Sequence, residues 1–310
     1  MGNQTVYEFH LSGLTNHFQT QCPLFVLFLL IYLMTISTNL LILFLAFIDS
    51  QLHTPMYFFL GNLAFIDMSY SSVTVPRMLC DVFTTNRTIS LPACITQVFF
   101  FIYFASSELF LLAAMSYDRY VAICHPLHYI QIMSWKVCTQ FISVVWTLGF
   151  LYSLVHTLCS LRLTFCGSNI IHNFFCDLPH LFQLSCTDTL VNIVVILIVG
   201  GILGIAALAV TFIPYTYILS TVLQIRSSGG KRKALSTCTS HLTVVLIFYG
   251  SIIFIYFIPA TSYMFEVNRL VNVIYAVINP LLNPLIYSLR NKDLKDALRK
   301  STLIKVLKGT

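Results

Sequence analysis

The sequence predicts an all-α membrane protein: one bundle of seven spanning helices, followed by a short amphipathic helix. Three observations carry this reading. Of 310 residues, 57% are hydrophobic and only 9% charged, against about 25% charged in a soluble domain, and the mean hydropathy is +0.84. Apolar runs long enough to cross a bilayer, which takes about 20 residues, recur seven times. The basic residues sort to one set of connections between them. A net charge of +6 alone would also suit nucleic acid. Its placement at the ends of apolar runs makes it a topology signal instead, and nucleic-acid binding is set aside.

The elements follow in order, within a single domain over residues 1–310. Residues 1–22 form a polar tail in which Asn3-Gln4-Thr5 is a glycosylation acceptor pattern. The tail lacks a basic stretch before a short apolar core. No cleavable signal peptide is expected, and the first span serves as the insertion signal. That span, Pro23 to Ile48, carries no charge, and Asn39 is its one strongly polar residue. The second opens at Pro55 and runs to about Leu79, with Asp67 at mid-depth. The third, about Ala93 to Ile123, holds Glu108. The fourth covers about Val137 to Leu161 and includes His156. A polar, cysteine-rich connection, Arg162 to Asp188, is too long for a tight turn. The fifth, sixth and seventh cover about Val191–Ile225, Ala234–Ile258 and Leu270–Leu289. Residues 290–310 are basic, with Leu294, Leu298 and Leu303 spaced for an amphipathic helix on the membrane surface.

Lysine and arginine set the orientation. Arg119, Lys136, Arg226, Lys231, Arg232, Lys233, Arg290 and the basic residues after it fall on one side; Arg77, Arg87, Arg162 and Arg269 fall on the other. The first side is expected to be cytoplasmic, which puts the N-terminus outside. Four cysteines, Cys94, Cys166, Cys176 and Cys186, then lie in outer segments where disulfides form. Sequence alone allows three pairings. The other six lie in or near helices and read as packing residues.

Three places carry chemistry. Charged groups within a membrane are costly and usually functional. Asp67 and Glu108 should therefore face the bundle interior. Two close carboxylates repel unless a cation or a proton lies between them, so a sodium ion or a shared proton is expected there. At the inner end of the third span, Asp118 can hold Arg119. In the seventh, Pro284 removes a backbone donor and bends the helix. Asn283 is placed to bond the freed carbonyls, and Tyr287 to swing as the bend changes.

The run Ala114-Met115-Ser116-Tyr117-Asp118-Arg119-Tyr120-Val121-Ala122-Ile123-Cys124-His125-Pro126 resembles the third-helix motif of rhodopsin-like G-protein-coupled receptors. In this long form it is similar to the olfactory receptors, of the tetrapod (class II) branch. Leu52 to Leu60, Lys233 to Leu242 and Pro280 to Asp293 resemble that family's motifs at the second, sixth and seventh helices, so the likeness covers nearly the whole chain. It implies an odorant receptor, not an enzyme, at the plasma membrane. It also implies disulfides Cys94–Cys176 and Cys166–Cys186.

The resemblance implies a pocket between the third, fifth, sixth and seventh helices. Helical steps back from Arg119 give Ile102, Ala105, Ser106 and Leu109. Matching depth gives Val199 and Leu203 on the fifth helix, Tyr249, Ile252, Ile253 and Tyr256 on the sixth, and Val273 and Ala276 on the seventh. Phe101 stands where aminergic receptors carry an aspartate, and the seventh span has no lysine for retinal. A small, mostly neutral volatile is the ligand implied. Coupling to a stimulatory olfactory-type G protein, raising cAMP, would use Asp118, Arg119, Tyr120, His125, Pro126, Tyr215, Lys231, Arg232, Lys233, His241, Asn283, Pro284 and Tyr287. On activation Arg119 would leave Asp118 for Tyr215, while Arg119, His125, Pro126, Lys231–Lys233 and His241 would face the G protein. Anionic membrane lipid is a second partner for the lysines. The chain departs from the family at Pro214, where a serine is usual, and at Thr38, where a glycine is usual.

The alternative is a polytopic transporter of a small solute using Asp67 and Glu108. Repeated halves, common in transporters, are not visible. An intramembrane enzyme would need a facing nucleophile and base, and the histidines are scattered.

Overall fold

A computed structural model describes residues 6–15, 18–84, 86–224, 227–257, 265–290, 294, 296 and 297. Seven long helices form the bundle: α1 (Phe18–Ile48), α2 (Pro55–Val82), α3 (Leu91–Cys124), α4 (Trp135–Leu161), α5 (Leu190–Gln224), α6 (Ser228–Phe257) and α7 (residues 265–290). Of the surface-helix segment, only Leu294, Asp296 and Ala297 are described. They are helical, and Leu294 and Ala297 are buried. The rest of the predicted amphipathic helix lies outside the described residues, as does Asn3.

Several starts are chemically marked. Thr54 and Ser90 precede α2 and α3 in extended conformation, and each is followed by a proline in the first helical turn. There its missing N–H costs nothing. Among the described residues, six helices are long and apolar enough to cross a membrane by composition; α2 is not among them. It is 28 residues long but carries Asp67, Arg77 and Asp81. It can do so because Asp67 and Asp81 are buried among other helices and do not face lipid. The most apolar stretch of α3 is 67% buried, whereas that of α5 is 6% buried. Thus α3 is the axis of the bundle and α5 is a lipid-facing wall.

Both α5 and α7 contain one π-turn, Ile196–Gly200 and Ile274–Ile278. A π-turn inserts an extra residue into the helical ladder and rotates the next side chains to a different face. Close approach of α3 and α4 depends on Gly149. A Cβ there would stand 3.2 Å from the Tyr103 carbonyl and closer still to Ser107 Oγ.

One end of the bundle is capped. The segment expected as a polar tail forms β1 (Glu8–Leu11), which lies between β2 (Thr88–Ser90), antiparallel to it, and β3 (Ile170–Ile171), parallel to it. α1 accordingly begins at Phe18, five residues before Pro23. Phe9 is fully buried and meets Phe165 edge-on at 5.0 Å. Two arginines fasten the cap. Arg87 donates to the carbonyls of Asp81, Ser12 and Thr15; Arg77 pairs with Asp81 and donates to Thr88 O. The long connection after α4 is folded as well. It carries a two-turn helix, Leu178–Leu184, and both disulfides, Cys94–Cys176 and Cys166–Cys186. Gln97 on α3 donates to Val73 O and accepts from Cys176 N, at 2.9 Å each, so α2, α3 and this loop meet at one amide.

Gly149→Val is expected to overpack the α3–α4 contact at a cost of about 1–3 kcal/mol. The measurement is the unfolding temperature of the purified protein, which should fall, while Gly250→Ala, at an exposed position of α6 where a Cβ would meet no atom within 4 Å, should leave it nearly unchanged.

Candidate functional site

Below the cap, a cavity of about 410 Å³ opens between α3, α4, α5, α6 and α7. Nine of the twelve residues expected to line a pocket do so: Ile102, Ala105, Ser106 and Leu109 on α3, Leu203 on α5, and Tyr249, Ile252, Ile253 and Tyr256 on α6. Val199, Val273 and Ala276 do not. Val199 and Ala276 lie inside the π-turns Ile196–Gly200 and Ile274–Ile278, where the register of a regular helix does not hold; nothing in the structure explains Val273, which precedes the second. Gly200, Gly201 and Gly204 face the cavity from α5, and Tyr275 does so from α7, while Ala276 is buried in the core. The sequence reading also missed α4, whose Tyr152 and His156 form one wall. A histidine inside an apolar span was the available signal, since such a group is costly without a partner. Phe101 packs between Tyr70 (4.9 Å), Tyr275 (5.9 Å) and the loop residue Phe175 (4.7 Å), outside the cavity wall.

The roof is the loop helix. Leu178 lines the cavity, and Asp177 precedes it as the helix cap. The fully buried Asp177 carboxylate accepts from Leu178 N at 2.8 Å and from the Tyr256 hydroxyl at 3.0 and 3.2 Å. Burial pushes its pKa up to about 7 against the pull of those donors. Three residues on, His180 is half-buried with Nδ1 unpartnered. Burial, with His172 and the Arg269 cation nearby, lowers its pKa to about 4.

Beneath the cavity lies a polar centre. Asn283 Nδ2 donates to Asp67 Oδ1 at 2.9 Å and to Glu108 Oε1 at 3.0 Å. The two acids are thus brought together as expected, and Asp67 Oδ2 is buried without a hydrogen-bond partner. The expected role of Asn283 passes to another residue. Pro284 leaves the carbonyl of Pro280, four residues earlier, without its helical donor, and Asn39 Nδ2 from α1 supplies one at 3.1 Å. Among the described residues no group of three or more His, Cys, Asp or Glu is placed to hold a metal.

At the end away from the cap, Arg119 pairs with Asp118. Tyr129, on a one-turn helix at Tyr129–Ile132, donates to the other Asp118 oxygen at 2.7 Å. Nothing in the sequence pattern singled Tyr129 out. Tyr120 and His125 are bonded at 3.1 Å, and Pro126 opens the exposed turn that follows. Tyr215 is bonded to His241, with the rings stacked. His241 is therefore not a surface residue, as expected, but 2% exposed inside the bundle. The Tyr287 ring lies 6.4 Å from it, with its hydroxyl buried and unpartnered. Arg232 is exposed and Lys231 half-exposed; the Lys233 side chain lies outside the described residues.

A family model described as olfactory receptor matches residues 28–305. Human olfactory receptor 1C1 is 48% identical over 298 residues, which cover 96% of this chain and 95% of that protein. Gorilla olfactory receptor 1G1 is 48% identical over 296 residues, covering 96% and 95%. Mouse olfactory receptor 5AR1 is 46% identical over 298 residues, covering 96% of both.

The two loop groups give opposite pH terms. Asp177 is raised above its unfolded value of about 3.9, so its stabilisation is full below about pH 4 and lost as pH rises through 7. His180 is depressed below its unfolded value of about 6.5, so its stabilisation is full above that and lost as pH falls through 4. Between pH 4.5 and 6.5 they offset. Asp177→Asn should leave a protein less stable at pH 4.5 than at 6.5, and His180→Gln one more stable at pH 4.5. Thermal unfolding at the two pH values checks both signs.

Proposed function

The chain belongs to the olfactory receptor family, and from that premise we propose that it senses a small neutral volatile in the capped cavity and signals through a stimulatory olfactory-type G protein. It is an odorant-sensing G-protein-coupled receptor and a multi-pass plasma-membrane protein, not an enzyme. The transporter alternative has no support from the family. The observation that carries the ligand proposal is the cavity itself. Its volume falls in the range of about 300–1,000 Å³ common for small-molecule sites. Its walls are apolar with a few hydroxyls and one imidazole, and among the described residues they include no lysine, arginine, aspartate or glutamate. A charged ligand would lose hydration there with no opposite charge to meet it.

The capped end is the extracellular one in this reading, in keeping with the basic residues gathered toward the other. The G protein meets the end carrying Arg119, His125, Pro126, Lys231 and Arg232. The Arg119–Asp118 and Tyr215–His241 contacts describe a resting arrangement. In the active one, α6 moves outward at that end, His241 releases Tyr215, and Arg119 exchanges Asp118 for Tyr215. Asp67 and Glu108 share a proton or a sodium ion in the resting state. The unpartnered Asp67 Oδ2 supports this fit, because such an ion would neutralise the pair. Asp67, Glu108 and Asn283 would hold it.

Cells expressing the chain with that G protein should raise cAMP in response to neutral volatiles and not to matched acids. At equal surface expression, Arg119→Ala should abolish the response. Tyr256→Phe, which removes only the bond to Asp177, should shift potency by roughly 3- to 10-fold. A response confined to acids would sink the ligand reading.

A further inference from the structure

The polar groups around the cavity divide into those already committed and those left over. Ser106 Oγ donates to Ile102 O at 2.6 Å. The Tyr249 hydroxyl bonds to Thr211 at 3.3 Å, and that of Tyr256 to Asp177. Tyr275 packs edge-on against Tyr70 on the core side. What is left lies on α4. His156 is 3% exposed, and its Nε2 is buried without a hydrogen-bond partner. One turn away, the Tyr152 ring meets the His156 ring edge-on at 4.4 Å.

The opposite wall is shaped to leave room at this pair. A Cβ at Gly200 would stand 2.8 Å from the Tyr152 hydroxyl oxygen. At Gly201 and Gly204 a Cβ would meet no atom within 4 Å. The π-turn ending at Gly200 brings these glycines to face α4. The result is a hollow between α4 and α5 whose free polar groups are one imidazole and one phenol. A buried polar atom without a partner is unfavourable, and His156 lines the cavity.

Resting on the odorant reading of this cavity, we propose that Tyr152 and His156 are its polar anchor and select ligands bearing a hydroxyl group, an alcohol or a phenol. A neutral imidazole has one acceptor nitrogen, and a phenol can donate. A ligand hydroxyl satisfies both at once, donating to His156 and accepting from Tyr152. An ether or ester oxygen accepts only, and a hydrocarbon offers neither. The ligand's apolar part then lies toward Leu208 and Ile252.

The test is cAMP dose–response in cells expressing the full chain. It uses matched sets of C8–C10 alcohols, substituted phenols, their methyl ethers, their acetates and the parent hydrocarbons. The wild type should respond to an alcohol or phenol at least about tenfold more potently than to its methyl ether. His156→Phe keeps the ring and removes both nitrogens. Tyr152→Phe deletes one oxygen and carries the test if the first variant fails to reach the surface. His156→Phe should weaken the hydroxyl ligand roughly 5- to 30-fold while leaving the ether within about threefold; Tyr152→Phe, whose donor an ether oxygen also uses, should weaken hydroxyl ligand and ether alike while leaving the hydrocarbon within about threefold. His156→Gln, which retains a donor and an acceptor, should recover part of the difference. Equal shifts for hydroxyl ligand, ether and hydrocarbon in the phenylalanine variants would make the pair packing residues and overturn the proposal. A wild type preferring ethers or esters would overturn it and leave the odorant reading standing. Silence toward every set from surface-expressed protein would overturn both.

Discussion

The Asn283 amide, shared between the carboxyl groups of Asp67 and Glu108, is the contact on which the rest of the bundle depends. It joins α2, α3 and α7 at one point in the interior. Alternatives are few there, because water is scarce and an unpaired polar group is expensive. Its position follows from the proline beside it. Pro284 cannot donate to the carbonyl of Pro280, and Asn39 takes that task from α1. Asn283 is thereby free to point at the acids. Four helices are thus registered against one another by two side-chain amides. The cavity above and the arginine end below are both built on that registration.

The cap shows how a chain with little charge spends it. Arg77 and Arg87 are topology signals in the sequence and structural pins in the fold. Between them they engage the Asp81 carboxylate and four backbone carbonyls from α2, β2 and the segment after β1. Two of them, those of Ser12 and Thr15, belong to a loop whose backbone would otherwise need water. The disulfide from Cys94 to Cys176 then fixes the long loop to the top of α3 across 82 residues of chain. Because Asp177 follows Cys176 directly, the same bond sets the position of the carboxylate that holds Tyr256.

The helices, their order and most cavity positions on α3 and α6 were legible because those helices are regular. Steps of one turn from Arg119 land on Ile102, Ala105, Ser106 and Leu109, all of which line the cavity. Counting failed at Val199 on α5 and Ala276 on α7 because each lies inside a π-turn, and neither turn is marked by a distinctive residue. The cap was illegible because strands of two to four residues lack enough alternation to register. Glu8–Leu11 is held by pairing with segments 80 and 160 residues away. His241, expected to face the G protein, lies seven residues into a span whose expected start is about Ala234. α6 in fact begins at Ser228 in polar sequence, which puts His241 in its middle. His156 was visible and was set aside because the expected pocket excluded α4.

Movement of α6 is constrained at three heights, and this links the ends of the molecule. Tyr256 is tied to the capping loop, Tyr249 to Thr211 on α5, and His241 to Tyr215 one turn further along α5. Ser116 on α3 donates to the Thr211 carbonyl, so the middle tie is anchored to the central helix. A ligand can shift a two-state balance only by the difference in its affinity for the two states. On the proposed reading, in which the cavity holds the ligand, part of that difference would arise on α6, at Tyr249, Ile252 and Tyr256, which line it. Two of those residues make the upper ties. The lowest tie has no contact with the cavity, and it engages the Tyr215 hydroxyl with His241. If the upper ties fix α6 to the cap and to α5, the lower half of the helix is the part left to swing, and the Tyr215–His241 bond is what must break for it to do so.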